Sequence, residues 1–350
     1  MSDRTEERVG LATIAREWGR MGCIGFGGPP THIALLRALC VERRGWLSDR
    51  EFEDGVAATN LLPGPASTQL AIFCAWRLRG APGAVLGGVC FIVPGLVVIL
   101  GLSALFLAAR PPLWVEGAAA GAGAAVPAVA IHASTGLLPA SWRRAGGSLS
   151  ARARWVAYLG AGIAAAATVG PYLVLVLLGC GLVEVGTQMG RHSRRSGPAT
   201  AHFAPLAVRA VAAGGLGALA WVAFKVGALS YGGGFVIVPL MQRDAVTTFH
   251  WMTAAQFVSA VALGQITPGP VVQTVAVVGY AAAGLGGGLL AAAIAFAPSF
   301  AFVLGGAPRF DRLRSSDLTQ SFLSGAGPSA IGAIAGAAIP LGLASAICGN

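Results

Sequence analysis

The chain has 350 residues, of which 55% are hydrophobic and only 11% are charged, and its mean hydropathy is +0.71. This composition is typical of polytopic helical membrane proteins and excludes soluble classes of protein. The net charge of +10 comes almost wholly from arginines grouped in a few loops, which indicates membrane topology rather than binding to nucleic acid.

In chain order, the first ten residues are charged and lack the apolar core of a cleavable signal peptide. The protein is therefore expected to enter the membrane through its own helices. Five later segments contain no Asp, Glu, Lys or Arg, and each is long enough for at least one helix of about 20 residues across the bilayer. They are 80–109, 117–142, 155–183, 245–308 and 318–350. We expect an all-α protein that crosses the membrane several times.

Four glycine- and proline-rich motifs interrupt the apolar sequence: FGGPP at 26–30, PGP at 63–65, YGGGF at 231–235 and PGP at 268–270. Proline lacks a backbone N–H and glycine weakens a helix, so each motif predicts the end of one half-helix and the start of another. A break inside a membrane is tolerated only where protein, water or a ligand meets the freed backbone groups. Because amides at a helix N-terminus attract anions, the four motifs predict an anion site where broken helices converge.

The chain contains an internal repeat at an offset of 205 residues, for example from Gly64 to Gly269. Over 20–91, 15 of 72 positions are identical at this offset without a gap, and the matches include Gly, Pro and Trp. The pattern predicts two homologous repeats. Repeats in a membrane protein favour a secondary transporter whose substrate site lies near the midplane between them.

The repeat also aligns two cations. Arg20 matches Lys225, and each lies six residues before an aromatic-Gly-Gly sequence. Lys225 is surrounded by apolar sequence, and a cation inside a membrane segment indicates a functional role. We interpret the two cations as substrate contacts; the alternative is that Lys225 reaches the membrane interface from a helix end.

The loop arginines indicate an orientation. Residues 37–50 hold four arginines, whereas the equivalent 242–255 hold only Arg243, beside Asp244. This asymmetry fits repeats of opposite orientation, with the first loop in the cytoplasm. We divide the chain into an N-terminal transmembrane repeat at 1–188, a cytoplasmic linker at 189–205 and a C-terminal transmembrane repeat at 206–350.

These motifs resemble the chromate ion transporter family in its long, two-repeat form. The likeness rests on FGGPPTHIALLRALCVERRGWL and NLLPGPASTQLAIF in the first half, and on YGGGFVIVPLM and QFVSAVALGQITPGPVVQTVAVVGY in the second. It covers about 20–302 of the chain. The resemblance implies export of chromate from the cytoplasm across the bacterial inner membrane, which gives chromate resistance, with sulfate as a similar anion.

On this resemblance, roles are assigned residue by residue. Polar residues that flank the two PGP motifs are expected to hydrogen-bond a tetrahedral oxyanion or, alternatively, only to satisfy backbone groups opened by the breaks. His32 is expected to sense protons or to contact substrate, with a packing role as the alternative. The predicted substrate-binding set is Arg20, Phe26, Gly27, Gly28, His32, Asn60, Pro63, Gly64, Pro65, Ser67, Thr68, Gln69, Lys225, Tyr231, Gly232, Gly233, Gln265, Thr267, Pro268, Gly269, Pro270 and Gln273.

Other classes of function are not indicated. The cysteines and histidines are scattered and no catalytic motif is present, so we predict no metal site, no cofactor and no enzymatic activity. Two alternatives stay open: a carrier of sulfate or another inorganic anion, and a non-transport membrane assembly subunit. Coupling also stays open, with Glu116, Glu184 and Asp244 as the intramembrane carboxylates that proton coupling would need. Small residues such as GAAAGAGAA are compatible with a homodimer, and equally with packing inside one chain.

Overall fold

The structure is a computed structural model that describes residues 9–62, 64–108, 112–168, 173–193, 215–230, 237–306 and 316–348. Within these ranges every regular element is a helix. Four of the described helical segments are long and apolar enough to cross a membrane: Ala66–Phe106, Ala124–Arg143, Val271–Gly306 and Asp317–Leu343. The chain is a multi-pass membrane protein, as its composition predicts.

The helices form two repeats with a pair of helices between them. The first repeat contains α1 (Leu11–Ile24), α2 (Pro29–Arg37) with a π-helical turn after it (Ala38–Arg43), α3 (Asp49–Leu61), α4 (Ala66–Phe106) and α5 (Leu113–Arg144). The pair is α6 (Leu149–Thr168) and α7 (Leu173–Ser193). The second repeat contains α8 (Leu216–Leu229), α9 (Ile237–Gln242) with its π-helical turn (Arg243–Thr248), α10 (Ala254–Ile266), a 3-10 turn (Val271–Gln273), α11 (Thr274–Gly306) and α12 (Asp317–Cys348).

Local structure in one repeat recurs in the other. Helices α1 and α8 begin and end at positions 205 residues apart, and so do α3 and α10. Helix α3 starts with a capping box between Ser48 and Glu51, and α10 starts with the same arrangement between Thr253 and Gln256. In each box the hydroxyl accepts from one backbone amide and the longer side chain accepts from the other. These matches confirm the two homologous repeats and extend them to 11–144 and 216–348.

The alignment shifts by one residue after the PGP motifs. Helix α4 has a break at Gly80, with φ 60° and ψ −150°, and α11 has the same break at Gly284, with φ 63° and ψ −155°. These two glycines are 204 residues apart, so the gapless offset of 205 is wrong for the second part of each repeat. At the corrected offset Gln69 matches Gln273. Both breaks use a positive φ that glycine adopts at low cost.

Equivalent helices of the two repeats run in opposite directions. In the segments that follow the two breaks, Gly88 of α4 lies against Phe300 of α11, whereas Leu100 of α4 lies against Gly288 of α11. Residue numbers thus rise along one helix as they fall along the other. A two-fold axis along the membrane normal would leave equivalent helices parallel, so the relating axis lies in the membrane plane, as in inverted-repeat transporters.

The main hydrophobic core joins the two repeats, with α1, α4, α8, α10 and α11 contributing most of it. A smaller cluster lies among α5, α6, α7 and α12. Helix α7 continues through 189–193, the first part of the predicted linker, and the rest of the linker lies outside the described ranges. The division into 1–188, 189–205 and 206–350 therefore stays a prediction.

Candidate functional site

Each of the two PGP loops forms a backbone hydrogen bond to the opposite repeat. The backbone N–H of Gly64, in the first loop, donates to the carbonyl of Ser230 at 2.7 Å, at the end of α8. The N–H of Gly269, in the second loop, donates to the carbonyl of Gly25 at 2.9 Å, at the end of α1. Each loop thus binds the break of the opposite repeat. We call the surroundings of Gly25, Gly64, Ser230 and Gly269 the inter-repeat centre.

Glycine and proline make these loops by their backbone properties. Gly64 has φ 125° and Gly269 has φ 98°, values that residues with a side chain rarely adopt. Pro65 and Pro270 follow them as the N-caps of α4 and of the 3-10 turn, and neither helix start has a side-chain cap. First-turn amides at such starts have no partner within their helix and favour anions.

The first break in α1–α2 has the same character. Gly27 and Gly28 have φ values of 95° and 74°, and Pro29 begins α2 at the position where a missing N–H costs nothing. Phe26 is half-exposed, at 51%. The equivalent residues of the second repeat, Tyr231, Gly232 and Gly233, lie outside the described ranges, so their predicted role is untested.

Buried polar side chains surround the inter-repeat centre. Ser299 of α11 lies against Gly64, and Gln69 lies against the same glycine. On the related side, Gln273 lies against Gly95, the residue that matches Ser299 at the corrected offset. Five side chains here are at most 1% exposed: Thr68, Gln69, Ser230, Gln273 and Ser299.

Several of these side chains have hydrogen-bonding capacity to spare. Among the described residues no hydrogen bond reaches the hydroxyls of Thr68, Ser230 and Ser299 or the Oε1 of Gln273. A buried polar atom without a partner costs free energy, and native proteins meet that cost with water or a ligand. Buried polar atoms of this kind, in the segments that form the inter-repeat centre, are therefore suited to bind a polar ligand.

Other predicted residues satisfy the backbone instead. Thr267 donates to the carbonyl of Leu263 at 2.7 Å, which caps the end of α10. The Nε2 of Gln273 donates to the carbonyl of Ile92 in the opposite repeat at 2.8 Å. Gln265 is partly buried, and its Nε2 has no partner in the described structure. Thr267 and the amide of Gln273 thus fit the interpretation that flanking polar residues satisfy the backbone, and binding of an oxyanion by the flanking residues stays a prediction.

His32 links the first break to the first PGP loop. It is 1% exposed, its Nε2 lies 2.9 Å from the carbonyl of Gly25, and its Nδ1 lies 3.2 Å from the hydroxyl of Ser67. A carbonyl only accepts, so Nε2 carries the proton and the neutral ring accepts from Ser67 at Nδ1. Phe91 packs edge-on to the ring at 5.0 Å. His32 thus has both a hydrogen-bonding and a packing role.

The two aligned cations lie in different environments. The Nζ of Lys225 donates to Oδ2 of Asp244 at 2.5 Å, and the two side chains are 19% and 8% exposed. Arg20 is exposed on α1. The structure therefore gives Lys225 an ion-pair partner that neither interpretation of the sequence included. Substrate contact by either cation stays a prediction.

The substrate-binding roles of the whole predicted set stay predictions, and for some of its residues the structure does not describe the side chain. Pro63 lies outside the described ranges, and Asn60 lies in α3 with a side chain outside them. Pro268 is buried beside Gly269. Sequence reasoning missed Ser230 and Ser299. The match of Ser299 with Gly95 is visible only at the corrected offset, because the alignment changes by one residue just after the PGP motifs.

A second polar cluster lies outside the repeats, between α6 and α7. Arg154 binds the carboxylate of Glu184 through two hydrogen bonds of 2.8 and 3.0 Å, and Tyr158 and Gln188 donate to it at 3.0 and 3.4 Å. A cavity of about 190 Å³ adjoins the cluster. Glu184 is thus a fully paired carboxylate.

The segments of the chain that match a known protein family correspond to the two repeats. The family model described as chromate transporter matches residues 12–185 and 217–348. The chain belongs to the chromate transporter family. Its similarity to a chromate transport protein of Cupriavidus metallidurans is 33% identity over 92% of this chain and 80% of the relative.

Two further relatives of this transporter have similar coverage. A probable chromate transport protein of Synechococcus elongatus is 29% identical over 95% of this chain and 84% of its own length. A chromate transport protein of Pseudomonas aeruginosa is 28% identical over 92% of this chain and 79% of its own length. No solved structure matches the chain.

Proposed function

We propose that this chromate transporter family member exports chromate from the cytoplasm across the bacterial inner membrane and thereby confers chromate resistance. The observation that supports the proposal best is that each PGP loop bonds to the opposite repeat, beside buried hydroxyl groups that have no hydrogen-bond partner among the described residues. The names of the relatives supply the substrate, since the geometry alone is suited to any tetrahedral oxyanion.

The inter-repeat centre has the chemistry of an oxyanion site. Hydroxyls of Thr68 and Ser299 and the first-turn amides of α4 are neutral donors, which can replace the water around a dianion. Neutral donors leave the empty site uncharged, so the protein does not bury an uncompensated cation when no substrate is bound. Inverted repeats then provide two related conformations, each open to one side of the membrane.

The membrane potential favours the proposed direction. Moving one charge through 100 mV is worth about 2.3 kcal/mol, so an inside-negative potential drives a dianion outward by about twice that amount. Export is therefore feasible without ATP.

Sulfate is the alternative substrate because it has the same shape and charge, and neutral hydroxyl donors do not distinguish the two anions by charge. The difference has to be measured. A sulfate carrier would use the same centre and the same repeats.

Uptake of labelled chromate into inverted membrane vesicles tests the proposal. We expect wild-type vesicles to accumulate chromate with an inside-positive potential, and a tenfold excess of sulfate to compete weakly. Ser299→Ala is expected to lower the initial rate by about tenfold, since a lost hydrogen bond to a charged group costs about 1.5–3 kcal/mol.

Ser259→Ala is the matched control, because that hydroxyl bonds only to the carbonyl of Ala255 in its own helix, α10. It is expected to transport at the wild-type rate. Accumulation of sulfate but not chromate would contradict the substrate, and equal rates in Ser299→Ala and wild type would contradict the site.

A further inference from the structure

The ion pair of Lys225 and Asp244 is the feature that the proposed oxyanion site leaves without a role. Taking two charges out of water costs several kcal/mol per ion in general, and a buried pair often adds no stability over apolar residues. An ion pair inside a membrane protein therefore points to function rather than to stability.

The pair lies close to the inter-repeat centre along the chain. Lys225 precedes Ser230, whose carbonyl binds the first PGP loop, by five residues, which is about 7.5 Å along a helix. Asp244 lies in the π-helical turn after α9, and turns of this kind often occur at functional sites. Both residues thus lie within the hydrocarbon depth if the centre is near the midplane.

In the part of the chain that the structure describes, few other charges surround Asp244. Helices α9 and α10, which pack against its turn, carry no Asp, Glu, Lys, Arg or His. Arg243 is its neighbour in the turn, His250 follows the turn, and Tyr280 is the titratable residue of α11, which packs against α8. Lys225 also lies 5.9 Å from the ring centre of Trp221.

The pair has no counterpart in the first repeat, where the positions equivalent to Lys225 and Asp244 are Arg20 and Leu39. It also differs from Glu184, which is the other buried carboxylate among the residues whose side chains the structure describes; the side chain of Glu116 is not among them. Four hydrogen bonds hold Glu184, whereas in the described structure the Asp244 carboxylate accepts one, from Lys225. Because only one partner holds it, Asp244 is freer than Glu184 to take up a proton.

We propose that Asp244 takes up one proton together with each oxyanion, so that the anion and the proton cross the membrane in the same direction. This inference rests on the proposed oxyanion transport. An oxyanion near Lys225 and an ionised Asp244 would compete for the same cation and repel each other. When the Asp244 carboxylate takes up a proton from water it becomes neutral, so it no longer competes for Lys225 or repels the oxyanion. The charge of Lys225 then compensates part of the charge of the oxyanion.

The two binding events therefore favour each other, because coupling between two sites is reciprocal. One proton per dianion leaves a net charge of one to move across the membrane. The voltage dependence of transport is then half of that expected for a bare dianion.

Reconstituted full-length protein in proteoliposomes tests this inference. With the potential clamped at zero by valinomycin and equal potassium, a lumen one pH unit more alkaline than the outside is expected to accumulate labelled chromate about tenfold, since one proton is carried per anion. Exchange of labelled for unlabelled chromate without a pH gradient is measured in the same vesicles.

Asp244→Asn is expected to retain chromate exchange and to lose the accumulation driven by pH. Glu184→Gln, at the other buried carboxylate, is the matched control and is expected to accumulate chromate about tenfold, as wild type does. A proton carried on the chromate itself would also drive wild-type accumulation, but it would persist in Asp244→Asn and overturn the assignment.

The remaining outcomes separate the two proposals. Absence of chromate exchange in wild type would reject the proposed transport, whereas exchange without pH-driven accumulation would reject only the coupling. Loss of exchange in a folded Asp244→Asn variant would also overturn the inference. If that variant does not fold, the double variant Lys225→Gln/Asp244→Asn removes both charges. We expect the double variant to exchange chromate with a raised half-saturation concentration and to show no accumulation driven by pH. Accumulation driven by pH in the double variant would refute the role of Asp244.

Discussion

Gly64→Ala is expected to slow transport by at least tenfold while leaving the protein folded. Gly64 has φ 125°, and a residue with a side chain in such a conformation is strained by about 1–3 kcal/mol. The added methyl group would also meet Nε2 of Gln69 and lie 3.4 Å from the hydroxyl of Ser299. The loop must therefore move, which breaks the 2.7 Å bond from Gly64 to Ser230.

The size of the effect follows from these contacts. A displacement of the first PGP loop that weakens substrate binding by about 1.4 kcal/mol lowers the transport rate tenfold. Because the displaced loop loses more than one contact with its surroundings, the loss in rate is expected to be at least that large. We expect at least a tenfold loss in the initial rate of chromate uptake, with a small decrease in melting temperature. Uptake into inverted vesicles and fluorescence-detected thermal unfolding measure the two quantities.

Gly45→Ala is the matched control for backbone strain. Gly45 has φ 58° in the loop before α3, and nothing lies within 4 Å of an added methyl group there. The Gly45→Ala variant is expected to lose as much stability as Gly64→Ala or less, and to transport chromate at the wild-type rate. Wild-type uptake by Gly64→Ala, or an equal loss of uptake in Gly45→Ala, would refute the role of the inter-repeat centre.

Three further predictions concern stability. Gln273→Leu removes the buried bond to the carbonyl of Ile92 and is expected to lower the free energy of unfolding by about 1 kcal/mol. An unchanged free energy of unfolding would contradict a bond between the repeats. Ser48→Ala removes the N-cap of α3 and is expected to cost about 1 kcal/mol in thermal unfolding, so an unchanged melting temperature would count against the capping box. The bond from the backbone N–H of Ser48 lowers the pKa of Glu51. The ionised Glu51 carboxylate therefore stabilises the fold above the ordinary carboxyl pKa, and this stabilisation is lost as pH falls through the lowered pKa. The melting temperature of wild type is expected to fall more on acidification than that of Glu51→Gln, and parallel falls would exclude this contribution.

The architecture is largely predictable from the sequence, because glycine and proline determine the local backbone conformation wherever they occur. The PGP and FGGPP motifs predict the breaks at 25–28 and 64–65, and the loop arginines predict inverted repeats. The additional break at Gly80 was not predicted, since a single glycine in an apolar helix does not distinguish a break from close packing. Its match with Gly284, 204 residues later, reveals that the alignment has already changed by one residue.

The candidate site was less predictable, because it depends on contacts between the repeats. The crossed bonds from Gly64 and Gly269 join residues more than 160 positions apart, and no local pattern encodes such a partner. Ser299 was missed for the same reason. Lys225 was singled out correctly as an unusual cation, but its partner Asp244 could be found only from the fold.

The position of bound chromate tests the central claim most directly. Chromium scatters X-rays anomalously, so crystals of the protein grown with chromate would locate the anion without bias from the model. We predict a chromium peak at the inter-repeat centre, with chromate oxygens within hydrogen-bonding distance, about 2.5–3.2 Å, of the hydroxyls of Thr68 and Ser299. A peak confined to another place, such as the cavity beside Arg154, would contradict the site proposed for this transporter.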